Sequence, residues 1–417
     1  MDLDALWRIV KIAILSLLFL CGCASRDPLV VTDRPLPDAR LSPEIQLLDV
    51  PIRIISAVID QDGRAHVLAL TSKPPELHYL VVGVEGVLHK EVVTSLDSYD
   101  HLEIAFDGSG NLHAIVNEDH FVLENGTWHT LPKDPCRKLI RGGQDLFCAF
   151  QVEGKDIDVP GDWDLYIIPV YGPCCLLFPW YSYPDKLVVA RKTSAGWSEW
   201  TVCDAETKFD IDTFSIASDN SGTVHLLYRV AEGGSSREQQ CRYARIQPRI
   251  SEETSENKQV YHSDLVEVPC TLAKLSGQFI TTGLMLDCQD IAVDPETGTA
   301  LIIIKKHRYG DWGFPRLSHK SYSYIYEDGK FGRPVMMYDF DRVIHVEPAG
   351  DGRFLALGVA STHFIYYLEY RDGMWSAPLE LGNGRSDNVV FVSDLNRRAL
   401  ALWTNKDKRP VARWIER

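Results

Sequence analysis

Ile59-Asp60-Gln61-Asp62-Gly63-Arg64-Ala65-His66 returns in outline as Phe106-Asp107-Gly108-Ser109-Gly110-Asn111-Leu112-His113, and again as Ser218-Asp219-Asn220-Ser221-Gly222-Thr223-Val224-His225. In each copy Gly stands three residues after Asp and His three after Gly, between runs of alternating apolar residues. Alternation with a period of two marks half-buried strands, and an Asp/Gly step between two such runs marks a tight turn. A strand-turn-strand unit that recurs along one chain predicts an all-β fold assembled from copies of one element.

A second turn follows each Asp turn: Gly126-Thr127-Trp128, Gly373-Met374-Trp375, and the related Gly196-Trp197 and Gly329-Lys330-Phe331. If the Asp turn joins strands one and two and the Gly-aromatic turn joins three and four, each repeat is a four-stranded antiparallel meander. Such sheets repeated along a chain are the blades of a β-propeller. The pattern places blades at 52–93, 102–131, 214–268, 291–337 and 342–381, an irregular third one with a decayed turn at 142–145 and strands at 146–150, 186–192 and 197–202, and a last copy over 389–415. Seven blades is the resulting count, with six or eight as alternatives because the third and fourth copies are irregular. The last copy has only three strands. Residues 44–50, an apolar segment ahead of the first blade, are predicted to pair with 411–415, complete the seventh sheet and close the ring.

The chain opens with Arg8 and Lys11, an apolar run over 12–20, and Leu20-Cys21-Gly22-Cys23. A basic start and a short apolar core mark an export signal, too short for a spanning helix. Leu-x-Gly-Cys resembles the lipobox of bacterial lipoproteins, which implies cleavage before Cys23, lipidation of its thiol and acylation of the new amino terminus. With Ala24 and Ser25 next and no Asp behind the cysteine, the resemblance implies the outer membrane of a bacterial envelope. Lipid chains contribute about 0.8 kcal/mol per buried methylene, enough in combination to hold a domain at a bilayer. The organisation read here is a signal peptide over 1–23, an extended tether over 24–43 rich in proline, and a propeller over 44–417. The net charge of −15 argues against nucleic acid as a partner and against a polybasic hold on lipid.

Of ten cysteines, Cys21 and Cys23 lie in the leader. The other eight, at 136, 148, 174, 175, 203, 241, 270 and 288, are an even number in an exported chain, which favours disulfides. No Cys-x-x-Cys occurs, so neither a metal nor a cofactor is expected. Eight cysteines allow roughly a hundred connectivities. They read as staples for the long insertions, and Cys270 with Cys288 closes the neatest local loop.

The whole pattern resembles bacterial propellers with sialidase-like, BNR-type repeats. Ser218-x-Asp219 matches the start of their Asp-box, while Gly222 falls one residue late and the box's Trp is absent. The resemblance implies a fold and no activity. In such a meander the repeated turns lie on one face of the disc, where Asp can bond the turn's own amides. His66, His113 and His225 recur by blade and read as scaffold.

The opposite face carries the insertions at 155–185, 229–239, 271–286 and 307–319. Their aromatics make a candidate binding rim, with Trp163, Trp180, Tyr181, Tyr183, Trp312 and Phe314 as its residues; the alternative is a private core beneath the loops. Strand starts bring Arg53, Asp100, His101, Arg137, Asp212, Asp290, Arg342 and Arg385 toward the channel mouth. There Arg53, Arg137, Arg342 and Arg385 are candidates for holding a carboxylate, unless the charges are simply paired scaffold. Arg53, Arg342 and Arg385 suit a sialidase triad by position, but no Glu or Tyr partner can be assigned. No His-Glu-x-x-His, Gly-x-Ser-x-Gly or phosphate loop occurs. The expectation is a membrane-anchored lipoprotein whose propeller face binds a glycan or an envelope protein without catalysis. The alternative is a sialidase-like or other glycoside hydrolase or lyase.

Overall fold

The computed structural model describes residues 39–96, 101–134, 136–152, 186–193, 196–204, 209–232, 239–250, 259–267, 284–308, 318–338, 340, 342–360, 363–395 and 398–416. Every regular element among them is a strand, and the strands form seven antiparallel sheets. Blade 1 runs Ile52–Ile59, Ala65–Thr71, Glu76–Gly83 and Gly86–Ser95; blade 2 runs Leu102–Phe106, Leu112–Val116, Asp119–Glu124 and Thr127–Leu131. Blade 3 is Lys138–Gly142, Asp145–Val152, Lys186–Thr193 and Gly196–Asp204, and blade 4 is Phe209–Ser218, Val224–Glu232, Gln239–Ile250 and Gln259–Glu267. In blade 5, Leu284–Val293, Ala300–Arg308 and Ser318–Glu327 are followed by an outer strand broken into Lys330–Phe331 and Val335–Met336. Blade 6 repeats that break: after Arg342–Pro348, Phe354–Val359 and Phe364–Arg371 come Met374–Trp375 and Leu379–Asn383.

Blade 7 joins the two ends of the described chain. Arg385–Ser393, Arg398–Thr404 and Pro410–Glu416 receive Ile45 opposite Ala412 and Gln46 opposite Val411, the pairing expected of segment 44–50. The clasp extends further than the sequence suggested, because Arg40 and Leu41 pair with Glu416 and Ile415 and Ser42 N–H donates to the Trp414 carbonyl at 2.9 Å. The inner strands of consecutive blades touch all the way round, blade 7 against blade 1 included. The ring is closed.

Both faces of each sheet are covered by neighbouring sheets, so middle strands lose their alternation of burial: Leu112–Val116 and Phe354–Val359 are buried at every position. Seven apolar clusters result, each drawing on two neighbouring blades. Between blades 7 and 1, Trp414 is fully buried and its indole N–H donates to the Gly83 carbonyl at 2.9 Å.

The Gly-aromatic turns have a definite geometry. Asn125-Gly126, Asp328-Gly329 and Asp372-Gly373 all have positive φ at both positions, the type I′ pair whose twist matches the strands it joins. The aromatic that follows reaches back to the preceding blade. Trp128 Nε1 donates to Glu91 at 3.0 Å, and the buried Trp375 donates to Ser323 Oγ at 2.9 Å.

The disulfides correct the sequence reading. Cys136 pairs with Cys148 and Cys241 with Cys288, at Cα separations of 5.6 and 6.2 Å. Cys288 is therefore not joined to Cys270. The first bridge lies within blade 3; the second ties the third strand of blade 4 to the inner strand of blade 5. Both fasten strands rather than insertions, because neighbouring strands hold their Cα atoms within disulfide reach.

Candidate functional site

The recurring motif explains itself at the Asp turns. Asp60, Asp107 and Asp219 each accept the backbone N–H four residues on, from Arg64, Asn111 and Thr223, at 2.8, 2.8 and 2.9 Å. The second carboxylate oxygen faces Nε2 of the motif histidine, at 3.0 Å for His66, 3.3 Å for His113 and 3.8 Å for His225. The far ring nitrogen continues into the third strand: His66 and His225 meet the Tyr79 and Tyr243 hydroxyls at 2.6 Å. His113 meets His120 at 2.9 Å, which in turn meets Asp134. Burial alone would raise the Asp219 carboxyl, but the facing His225 ring and the hydrogen bonds from Ser221 and Thr223 outweigh it and hold the group at about 2. Burial pushes the three motif histidines down, against their aspartates.

Neighbouring turns also abut. A Cβ on Gly108 would stand 2.3 Å from the Gln144 carbonyl, so only glycine fits there. Asn220 N–H donates to Pro295, and Gly352 N–H to Asp294. These contacts tie neighbouring turns to one another on this face.

The inner strands surround a central channel of about 750 Å³, lined from all seven blades and reaching Arg141, Ser218, Val293 and Pro348 beside the turns. The turns open at Asp60, Asp107, Gly142, Asp219, Asp294, Ala349 and Asp394. Four residues before each stand Ser56, Glu103, Lys138, Ser215, Asp290, His345 and Val390, all on the channel wall. Six of seven are polar, and they interact around the ring. Lys138 Nζ lies 2.9 Å from Glu103, whose charge is the main reason the ammonium is held up. Asp290 accepts from Ser215 Oγ at 2.5 Å and Val346 N–H at 2.9 Å, and lies 3.5 Å from His345 Nδ1. One carboxylate thereby spans blades 4, 5 and 6. Burial opposes its ionisation, but His345, Ser215 and Val346 prevail and hold it low.

Two residues nearer the turns the equivalent positions are Val58, Ala105, Ile140, Ala217, Ala292, Glu347 and Val392. Glu347 is the single polar member of this second tier. It is half-buried, and burial, reinforced by the Asp290 charge, pushes its carboxyl well above the ordinary value. Nearer the mouth are Arg53, which is exposed, and His101. Burial keeps the His101 ring down, and its Nε2 has no hydrogen-bond partner among the described residues. No group of three or more His, Cys, Asp or Glu arranged to hold a metal occurs among the described residues.

Of the residues singled out in the sequence, Arg53, His101 and Asp290 come together on this wall. Arg137 and Arg385 are exposed at the starts of the inner strands of blades 3 and 7, off the cavity lining. Arg342 opens the inner strand of blade 6 opposite Val359, and its side chain lies outside the description. Trp163, Trp180, Tyr181, Tyr183, Trp312, Phe314 and Cys23 all lie outside the described residues. Glu103, Lys138, Ser215, His345 and Glu347 were missed. Their signal was a polar residue inside a strand buried on both faces, as in Leu102-Glu103-Ile104, at a constant distance from a turn.

No protein-family model matches the chain, and no curated protein matches it. Solved structures do resemble it. A fungal alcohol oxidase of the AA5 family, in complex with copper, superposes with a TM-score of 0.51 at 10% identity over 91% of this chain and 76% of the other. The polysaccharide lyase Uly1 superposes at 0.52 and 10% identity over 94% of each chain. The β-propeller domain of the Trilobed protease from Pyrococcus furiosus superposes at 0.46 and 10% identity, over 90% of this chain and 93% of that one. Likeness at this identity bears on fold alone; the seven antiparallel sheets closed into a ring are those of a seven-bladed β-propeller.

Proposed function

We propose that the protein is an exported, lipid-anchored propeller that captures a glycan or an envelope protein on the face where the channel opens, without transforming it. The polar upper tier carries this reading. A rigid ring of seven strands presents Ser56, Glu103, Lys138, Ser215, Asp290 and His345 to one cavity, and convergent polar groups in a pre-formed cavity are the mark of a ligand site. The insertion aromatics Trp163, Trp180, Tyr181, Tyr183, Trp312 and Phe314, with Arg137, Arg342 and Arg385, would widen that site into a rim. Leu20-Cys21-Gly22-Cys23 supports the anchor at Cys23 and an outer-membrane address.

One observation favours an enzyme instead. Asp290 and Glu347 are carboxyls on adjacent blades pushed in opposite directions, a pattern that separates acid from base in active sites. Asp290, however, already accepts two hydrogen bonds and faces His345, which suits a structural anion better than a nucleophile. A glycan panel scored for both capture and product decides between the readings: capture without product is expected, and turnover overturns the non-catalytic reading. For the anchor, Cys23→Ser is expected to lose the lipid mass and leave the membrane fraction. Unchanged mass and fractionation would remove the anchor.

A further inference from the structure

We propose that the channel takes an uncharged, hydroxyl-bearing ligand, a sugar ring or chain end, and that Glu347 holds it by donating a hydrogen bond. The inference rests on the channel being the ligand site. In the upper tier the charges are already answered: Glu103 by Lys138, and Asp290 by Ser215, Val346 and His345. In the lower tier Glu347 shares the cavity wall with Ile140, Ala217, Ala292 and Val392, and its carboxyl makes no hydrogen bond or ion pair among the described residues. Among the described residues it is the acidic group of the wall whose carboxyl has no partner.

The groups around it keep it a donor. On blade 5 the charge facing it is the Asp290 anion, one tier higher. On its own strand His345 is turned to Asp290, and the inner strand of blade 7 offers Asn388, Val390 and Val392 without a charge. Across the channel Lys138 is paired with Glu103, and Arg141 Nε donates to the Gly143 carbonyl at 2.9 Å; Arg53 and His101 stand nearer the mouth. Apolar surroundings and a neighbouring anion both favour the protonated carboxyl, which supports the geometric argument. A protonated carboxyl donates through O–H and accepts through its carbonyl oxygen, the complement of a hydroxyl group. An anionic ligand would meet the Asp290 charge, and a cation would drive the proton from Glu347.

The full chain, purified in detergent, is titrated calorimetrically with uncharged mono- and disaccharides and with the matching amino sugars and uronic acids, from about pH 5 to about pH 10, bracketing carboxyl ionisation. An uncharged sugar is expected to bind, weakening by about tenfold as pH rises, the worth of one hydrogen bond. Glu347→Gln, which still donates, is expected to keep affinity within about threefold and lose the pH dependence, while Glu347→Leu loses about tenfold at low pH. Thermal melts verify that both variants fold. Glu347→Leu binding as wild type does, pH dependence persisting in Glu347→Gln, or preference for an amino sugar or uronic acid overturns the inference and leaves the channel a ligand site. Failure of every probe, or sugar binding undiminished in a channel-filling Ser56→Trp, overturns the channel reading and this inference with it.

Discussion

The inner strands are alike at one end and unlike at the other. At the Asp turns Asp60, Asp107 and Asp219 each cap their own turn and face a histidine of the second strand. Four residues upstream, the equivalent positions hold Ser56, Glu103, Lys138, Ser215, Asp290, His345 and Val390. A turn poses the same problem in every blade, namely backbone amides with no strand partner, and the same carboxylate answers it. A channel poses one problem to seven strands together. Repetition here follows from a problem each blade solves alone, and departure from repetition is where the proposed site lies.

Removing a repeated residue is expected to have the largest effect. Asp219→Ala strips the acceptor from the Ser221 and Thr223 amides and the Ser221 hydroxyl, and stability should fall by about 2–3 kcal/mol in a denaturant melt. Sugar capture should persist in the folded fraction. A loss below about 0.5 kcal/mol would deny the turns their structural role.

The next effect is on acid stability. Asp219 lies at about 2 against an ordinary 3.8, worth about 2 kcal/mol at about 1.4 kcal/mol per unit. A depressed carboxyl stabilises above its unfolded value, and that contribution goes as pH falls through the folded one. His225, held below its ordinary 6.5 by burial, acts in the same direction, since it gains its proton more readily on unfolding. Urea midpoints should therefore decline below about pH 6 and drop most steeply from about pH 4 to about pH 2. Asp219→Asn should flatten that last limb; an unaltered limb would contradict the assignment.

The smallest change belongs to the unrepeated residue. Glu347 is raised, so it disfavours the folded state as pH climbs from the ordinary carboxylate value toward its own. Glu347→Gln should be neutral near pH 4 and raise stability at alkaline pH by no more than about 1 kcal/mol, because channel water screens the carboxylate. Destabilisation at alkaline pH would mean that the acid has a partner holding it ionised.

Most of the fold was legible because its determinants are local. The Asp turns bond residues two to four positions apart, and Asn125-Gly126 fixes its hairpin with adjacent positive-φ residues. The site was less legible because its contacts are not local. Glu103 and Lys138 are 35 residues apart, Ser215 and Asp290 are 75 apart, and Asp290 and Val346 are 56 apart. Only the packing of neighbouring blades brings them together. The same holds for Cys241 and Cys288, separated by 47 residues, where loop length favoured a partner that strand packing overrules. His101 was found because it sits beside a strand start, and Asp290 because the sequence reading began blade 5 at 291 where the strand in fact opens at Leu284; Glu347, deep in its strand, was not.

The clasp in blade 7 also bears on synthesis. Ser42 Oγ accepts from Trp414 N–H across 372 residues, so the first segment of the ring made on the ribosome waits for the last. Closing so long a chain in one step would oppose folding by roughly 5 kcal/mol; blades that form in turn as they emerge divide that distance into short steps. A chain cut short before Pro410–Glu416 can build its earlier blades but strips Ala412 and Trp414 from the apolar cluster that buries Leu47 and Leu48 in the finished ring. Completeness of the polypeptide is thus written into the surface it shows to proteases and chaperones, and a truncated product advertises itself.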